Sequence, residues 1–276
     1  YRRKETVPGY PCNPIYAAMI EHLDRSTGRV LDAIDELGLR RDTVVIFYSD
    51  NGGVVSENAY PAYAEPGRPD SRMNMILPSK RHYLEDSPLQ YIVTSNLPLR
   101  DEKGTVYEGG IREPLIVRWP GRVEAGRVSS APVSTPDFYP TFLELAGAPA
   151  PEGQTLDGAS LVPVFLRNEY DPERALFWHY PVYHHGEPAA VVRRGEWKLV
   201  RNLVDGSVEL FNLRDDLGEQ CDLSTTFPDK TRELDALLKE WQAEVGARLP
   251  KPNPDFDPAR RHVWGEHPVH RNPEQP

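Results

Sequence analysis

The chain has little cysteine, no long apolar run and no excess of positive charge, and each absence excludes a class of protein. Its two cysteines, Cys12 and Cys221, are too few for a disulfide framework and too far apart for a metal knuckle. No apolar stretch approaches the ~20 residues that span a bilayer. Acidic residues number 42 against 32 lysines and arginines, a formal charge of −10 that argues against nucleic acid or anionic membranes as partners.

Several enzyme signatures are missing as well. The patterns Gly-x-x-x-x-Gly-Lys-Ser/Thr, Ser-x-x-Lys, Gly-x-Ser-x-Gly and His-Glu-x-x-His do not occur. The usual nucleotide-binding, serine-hydrolase and zinc-hydrolase sites therefore have no candidate. The chain begins with Tyr1 rather than methionine and shows no secretion signal, so we expect further residues, and any targeting signal, upstream. The oligomeric state has no sequence signal.

What is present is a strand that ends in oxygen ligands. The β-branched and aromatic run from Thr43 to Tyr48 predicts a strand buried on both faces, and Asp50 and Asn51 follow it directly. Ligands of open α/β sheets lie beyond the carboxyl ends of strands, and carboxylate and amide oxygens suit calcium or magnesium. The alternative is a plain turn, because Asp-Asn-Gly-Gly is also good turn chemistry.

Hydrophobic periodicity predicts an α/β fold. An amphipathic helix should begin at Asn13 and Pro14 and end at Gly38, followed by the strand at 43–48 and a second apolar run at 115–119. These elements predict part of a mainly parallel sheet flanked by helices. Further elements are predicted as helices at 135–145, 156–167 and 228–247 and as strands at 191–192, 197–200 and 208–211, with hairpin turns at 194–196 and 205–207.

The composition changes along the chain and predicts three parts. Residues 1–172 form the α/β domain, 173–249 a smaller antiparallel sheet with a packed helix, and 250–276 an extended tail. The segment at 54–92 has prolines and aromatics without periodicity. It either overhangs the ligand end of the strand at 43–48 or is a surface excursion.

A second candidate motif runs from Lys103 to Pro114, before the second apolar run. Its three glycines, one lysine and one arginine suggest an anion-handling loop, in which Lys103 supplies a compact positive charge. Arg100 could bind a second anionic group, or could be solvated or ion-paired. Taken alone, such a segment is more often turn structure than a binding site.

The segment from Trp178 to His185 is rich in aromatic and imidazole groups. It predicts a loop that either stacks on a sugar ring or places His184 and His185 on a metal. Adjacent histidines point in different directions on regular elements, which disfavours the metal. Packing between domains is the remaining alternative.

Taken together, Ser49–Gly53 and Lys103–Pro114 resemble the sulfatase family, the arylsulfatase-type hydrolases of the alkaline-phosphatase superfamily. Tyr16–Arg25, Thr135–Thr141 and Leu156–Gly158 are similar to further landmarks of that family. The resemblance covers roughly residues 1 to 250 and corresponds to the C-terminal half of a complete sulfatase.

The resemblance implies roles for individual residues. Asp50 and Asn51 match half of the ligand set of a divalent metal, usually Ca²⁺ with Mg²⁺ as the other candidate, and two aspartates upstream complete it. Lys103 matches the lysine that binds the sulfate and helps the leaving oxygen depart. Glu108 and Arg112 match positions that brace the loop, and His179 matches a substrate-contacting position in sugar sulfatases.

The chain also departs from the family. The nucleophile of sulfatases is a formylglycine made within a Cys/Ser-x-Pro-x-Arg motif, and no such motif occurs here. Cys12 begins a similar pattern that carries Tyr16 where arginine belongs. The formylglycine and the early aspartates are therefore expected upstream of Tyr1, and the 54–92 segment is longer than the connection expected between the two motifs.

The function predicted from the sequence is that of a sulfuric ester hydrolase whose substrate is a sulfated small molecule, with a sulfated carbohydrate as the first choice. The chain alone is predicted to be inactive because it lacks the nucleophile motif. The alternatives are a phosphate-ester or phosphonate hydrolase of the same superfamily and a non-catalytic binding module. The family implies a periplasmic, secreted or lysosomal-type compartment.

Overall fold

The N-terminal helix is long and lies on the surface. A computed structural model describes residues 14–54, 94–184 and 186–255, and in it α1 spans Pro14–Glu36, as predicted. Gly38 adopts a left-handed φ of 72° just after the helix, where a side chain would be strained. No residue of α1 is buried, and its apolar residues Met19 and Val30 are exposed.

Two short strands carry the two sequence motifs. β1, Val45–Tyr48, pairs with β2, Leu115–Arg118, with Tyr48 opposite Leu115. The pair is antiparallel and half-buried, whereas the sequence predicts a mainly parallel sheet and burial on both faces; a short apolar run does not encode strand direction. The antiparallel register places the end of β1 beside the start of β2, so the two motifs meet.

Short helices connect these strands to the rest of the chain. The helix α2, Glu108–Ile111, lies inside the second motif. A 3-10 helix, Thr135–Asp137, leads into α3, Phe138–Ala146, and α4 covers Val162–Arg167, which is shorter than the predicted 156–167. The buried Asp137 carboxylate accepts hydrogen bonds from the backbone N–H groups of Ser134 at 2.8 Å and Ala159 at 2.9 Å.

The C-terminal part is a four-stranded antiparallel sheet. Its strands follow chain order as β3, Ala175–Tyr180, β4, Ala189–Arg194, β5, Trp197–Asn202, and β6, Val208–Asn212. Gly195 and Gly206 turn the predicted hairpins with positive φ angles. The predicted loop at 178–185 is wrong at its start, because Trp178 and His179 belong to β3 and pair with Val191 and Ala190; aromatic residues favour strands.

The two faces of this sheet pack against different partners. Helix α5, Pro228–Glu244, covers one face with Leu234 and Leu238. On the other face, Val191 and Phe211 pack against Val106 of the second motif. This alternation is the period-two pattern of strands. The second motif therefore packs, through Val106, against the face of the sheet opposite α5.

These observations confirm the α/β class with a C-terminal antiparallel sheet and helix. The helix cap at Asn13, Cys12, the 55–92 segment, His185 and the tail beyond 255 lie outside the described residues. Within the described ranges, no helix has the length and apolar content needed to cross a membrane. The division of the chain at residues 172 and 249 stays a prediction.

Candidate active site

The residues after β1 form a tight turn that presents oxygen atoms. The Ser49 hydroxyl donates to the Asn51 carbonyl at 3.0 Å. The Asn51 side-chain amide donates to Asp50 Oδ1 at 2.6 Å, which orients the two side chains together. Asp50 is exposed and Asn51 is half-buried. The turn interpretation of this pair is therefore confirmed, and its role as a metal ligand stays a prediction.

The two motifs are joined through their main chains. The Gly52 N–H donates to the Gly110 carbonyl at 3.2 Å, and the Lys103 N–H donates to the Gly53 carbonyl at 3.4 Å. A Cβ on Gly52 would lie 1.7 Å from the Gly109 carbonyl oxygen, a distance that real side chains do not adopt. Glycine is required here because two backbones touch.

A cavity of about 480 Å³ brings the predicted site residues together. Asp50, Asn51 and Lys103 all line it, and so does His179. Lys103 is exposed, and within the described residues its ammonium has no hydrogen-bond or ion-pair partner. An unpaired cationic group that lines the same cavity as a carboxylate is suited to an anion that binds together with a cation.

Glu113 also lines this cavity, and sequence reasoning missed it. One of its carboxylate oxygens is buried without a hydrogen-bond partner among the described residues. Burial, with a contribution from the nearby charge of Asp50, raises the pKa of Glu113 to about 7. Its place within the motif, between Arg112 and Pro114, was the available signal.

The donor set fits a hard cation in part. Asp50, Asn51 and Glu113 supply oxygen donors around one cavity, and an unpartnered carboxylate oxygen beside another carboxylate is a place that a cation would stabilise. Calcium takes six to eight oxygen ligands. No cluster of three or more His, Cys, Asp or Glu side chains arranged for a metal occurs among the described residues. The metal site therefore stays a prediction.

The histidines near the cavity differ in their contacts. His179 contacts the Gln242 side chain at 3.1 Å and the Arg248 carbonyl at 2.9 Å, so both ring nitrogens contact the C-terminal end of α5 and the residues after it. Gln242 and Arg248 belong to residues 173–249, the same predicted part of the chain as His179, so these contacts do not test packing between domains. Its substrate-binding role stays a prediction.

His184 lies against the second motif instead. A Cβ on Gly104 would be 2.4 Å from His184 Nδ1, so the imidazole sits directly on the residue after Lys103. The Tyr180 hydroxyl lies 2.9 Å from the same nitrogen. One alternative drawn from the sequence is that His184 and His185 bind a metal. In the structure, His184 lines the same cavity as Lys103.

Arg100 lies outside this cavity, in a neighbouring depression. Its guanidinium donates to the Glu219 carbonyl at 2.9 Å, lies 3.6 Å from the Glu209 carboxylate and stacks 3.7 Å above the Tyr107 ring. These contacts match the ion-paired alternative. Binding of a second anionic group by Arg100 stays a prediction.

Glu108 contacts both Arg112 and the C-terminal sheet, and the bracing role of Glu108 and Arg112 stays a prediction. The buried Glu108 carboxylate is 3.0 Å from Lys198 Nζ and 3.5 Å from the Arg112 guanidinium. Lys198 comes from β5, so this contact crosses from the second motif to the C-terminal sheet. No sequence motif indicates Lys198 as the partner of Glu108.

Comparison with known proteins agrees with this arrangement. Two family models match the chain, Sulfatase over residues 14–148 and "N-sulphoglucosamine sulphohydrolase, C-terminal" over residues 101–244. A sulfatase of Formosa agariphila is 35% identical over 260 residues, which is 87% of this chain and 40% of that protein. The steryl-sulfatase of Mus musculus is 35% identical over 63% of this chain and 24% of its own length.

Solved structures give the same result. Ps i-CgsB in complex with k-i-k-neocarrahexaose matches with a TM-score of 0.63 and 28% identity, over 82% of this chain and 42% of that one. BT4656 in complex with its substrate D-glucosamine-2-N,6-O-disulfate matches with a TM-score of 0.60 and 25% identity, over 84% and 40%. The chain spans less than half the length of these relatives. It belongs to the sulfatase family.

Proposed function

We propose that the protein containing this chain hydrolyses a sulfate ester on a carbohydrate. The observation that carries the proposal is the convergence of Asp50, Asn51 and Lys103 on one cavity, through two motifs that share main-chain hydrogen bonds. Membership of the sulfatase family supports the reaction class. Relatives bound to a carrageenan-type oligosaccharide and a glucosamine disulfate support the substrate class.

The residues of this chain have distinct tasks in that reaction. Asp50 and Asn51 would hold a calcium ion, which when bound offsets the negative charge of the sulfate oxygens. Lys103 lines the same cavity, and its ammonium would neutralise the charge that develops on the leaving oxygen. Trp178 and His184 line the same cavity and offer surfaces for a sugar ring.

This chain alone should not turn over sulfate esters. The motif that would become formylglycine does not occur in its 276 residues, and the part of the chain that the structure describes has no group of three or more His, Cys, Asp or Glu side chains that could hold a metal. The nucleophile that the family uses must come from residues outside this chain. Turnover by the purified 276-residue chain would contradict this part of the proposal.

The test is a comparison of sulfate and phosphate esters with the full-length protein that contains this chain. We expect release of inorganic sulfate from glucosamine 6-sulfate or a similar sugar sulfate, with slower release of phosphate from the matching phosphate ester. Faster phosphate release would assign the protein to phosphate-ester hydrolysis. Sugar-sulfate binding without turnover of either ester would indicate a binding module.

A further inference from the structure

The segment that carries Lys103 is a closed loop. The Gly109 N–H donates to the Arg100 carbonyl at 2.7 Å and brings the ends of the 100–109 segment together. Inside the loop, the Thr105 N–H donates to the Glu102 carbonyl at 3.1 Å. Lys103 lies between these contacts, so the position of its Cα depends on how the ends of the loop are held.

A single residue of the C-terminal part, Glu219, contacts both ends of this loop. Its carbonyl accepts a hydrogen bond from the Arg100 guanidinium at 2.9 Å, and its carboxylate accepts one from the Glu108 N–H at 2.6 Å. The backbone of Glu219 has a φ of 51°, in the left-handed region that favours glycine. Glutamate therefore makes this carboxylate contact although its backbone has a conformation that glycine adopts more readily.

Lys198 balances the charge of the buried Glu219 carboxylate. The Glu219, Glu108 and Lys198 side chains are all buried, and burial raises the pKa of the Glu219 carboxyl while Lys198 opposes that rise. Lys198 Nζ lies 2.7 Å from Glu219 and 3.0 Å from Glu108, so one ammonium serves two carboxylates. Without a cation, two buried carboxylates would repel each other and the loop would shift.

We propose that Glu219 is a positioning residue for Lys103, and that Lys198 on β5 is the cation that allows it. The inference rests on the proposed function, because it concerns the lysine of the sulfate-ester site. It assigns to the C-terminal sheet a task beyond packing: it fixes the loop that carries the catalytic ammonium. A displacement of about 1 Å in such a group can lower a rate about 100-fold.

The main test is a charge-balanced double variant, Glu219→Gly with Lys198→Met, in the full-length protein. Glycine tolerates the left-handed backbone, and removing one anion with one cation leaves Glu108 near Arg112 and Arg193. With aryl sulfates of increasing leaving-group pKa, we expect a loss of about 10- to 100-fold for the poorest leaving group and a much smaller loss for the best. Glu219→Gln keeps an oxygen that can accept the Glu108 N–H and should retain most of the rate.

A matched control comes from the same strand. Arg201 on β5 pairs with Asp235 on α5 at 2.7 Å, and neither lines the cavity. Arg201→Met with Asp235→Asn should leave the dependence on leaving group unchanged. In a Lys103→Ala background, the Glu219→Gly/Lys198→Met pair should add little further loss, because the group it positions is gone. A loss that is equal for all leaving groups, or that multiplies fully with Lys103→Ala, would overturn the inference.

Hydrogen exchange separates this inference from the proposed function. The amides of Glu108 and Gly109 should exchange faster in the Glu219→Gly/Lys198→Met variant than in wild type, and the Arg201/Asp235 control should match wild type over that segment. If the protein hydrolyses no sulfate ester, the proposed function fails. The exchange experiment still tests whether Glu219 holds the 100–109 loop in place. Unchanged protection of these two amides would refute the positioning role of Glu219.

Discussion

The C-terminal sheet and the site loops are held together by different interactions. In the sheet, Val191, Leu199 and Leu210 are fully buried, and α5 seals one face. Around the site, Asp50 and Lys103 are exposed, and the glycines between the motifs replace side-chain packing with backbone contact. Buried apolar packing therefore concentrates in the sheet and the proposed chemistry in the loops, and the buried charges of Lys198, Glu108 and Glu219 connect the two.

Lys103→Ala should have the largest effect on the reaction rate and little effect on stability. In the full-length protein we expect turnover of sulfate esters with poor leaving groups to fall about 1,000-fold, because the developing charge loses its cation. The free energy of unfolding should change by less than about 0.5 kcal/mol, since Lys103 is exposed. Steady-state rates across aryl sulfates and urea denaturation measure the two effects. Equal losses for good and poor leaving groups would contradict this role.

Leu210→Ala should show the reverse pattern. Leu210 is fully buried against the α5 side of the sheet, so its truncation should lower the free energy of unfolding by about 2–5 kcal/mol. The dependence of rate on leaving group should stay that of wild type below the unfolding temperature. Val204→Ala, at an exposed position of the β5–β6 turn, is the control and should cost less than about 0.5 kcal/mol. A changed leaving-group dependence would mean that packing and chemistry are not separable.

Asp50→Ala sharpens the comparison within the site. Loss of a charged ligand should weaken calcium binding at least about 10-fold, measured by titration calorimetry of the full-length protein, and the rate should fall with it. Asp157→Ala, which removes a carboxylate elsewhere on the chain, should leave calcium affinity unchanged. Unchanged affinity in Asp50→Ala would remove Asp50 from the ligand set.

The smallest expected effect concerns Glu113. Its pKa is about 7 in the folded protein and near 4.5 in the unfolded chain, so the ionised form disfavours folding. In metal-free buffer its contribution to stability should be present below pH 4.5 and be lost as the pH rises through about 7. Glu113→Gln should flatten that part of the pH profile, measured by thermal unfolding. The same slope in wild type and variant would show that Glu113 does not titrate in this range.

Local pattern predicted the elements whose signals are continuous in the sequence. The helix from Pro14, the hairpins at Gly195 and Gly206 and the helix from Pro228 were all readable, because each combines periodicity with a turn or cap residue. The aromatic start of β3 was not recognised as a strand. Its neighbours Pro181 and the histidines resemble a loop, and only the pairing with β4 decides it.

Contacts between segments that are distant in the chain could not be predicted from local sequence pattern. Lys198 shares its face of β5 with the buried Val200, but this local pattern does not identify Glu108, 90 positions earlier, as its partner. The antiparallel pairing of β1 with β2 was likewise unreadable from two apolar runs. The meeting of Asp50 with Lys103 was foreseen only through the family resemblance.

The hydrogen bonds between Gly53 and Asn96 have a consequence for how this site can change over evolution. The Gly53 N–H donates to the Asn96 side-chain oxygen at 3.1 Å, and the Asn96 amide donates back to the Gly53 carbonyl at 2.8 Å, across 43 positions of sequence. The Asn96 amide also donates to the Asp101 carbonyl at 3.0 Å. The two ends of the intervening stretch are thus fastened together next to the cavity. Insertions or deletions between Gly53 and Asn96 can therefore be accommodated while these hydrogen bonds keep the spacing of Asp50 and Lys103.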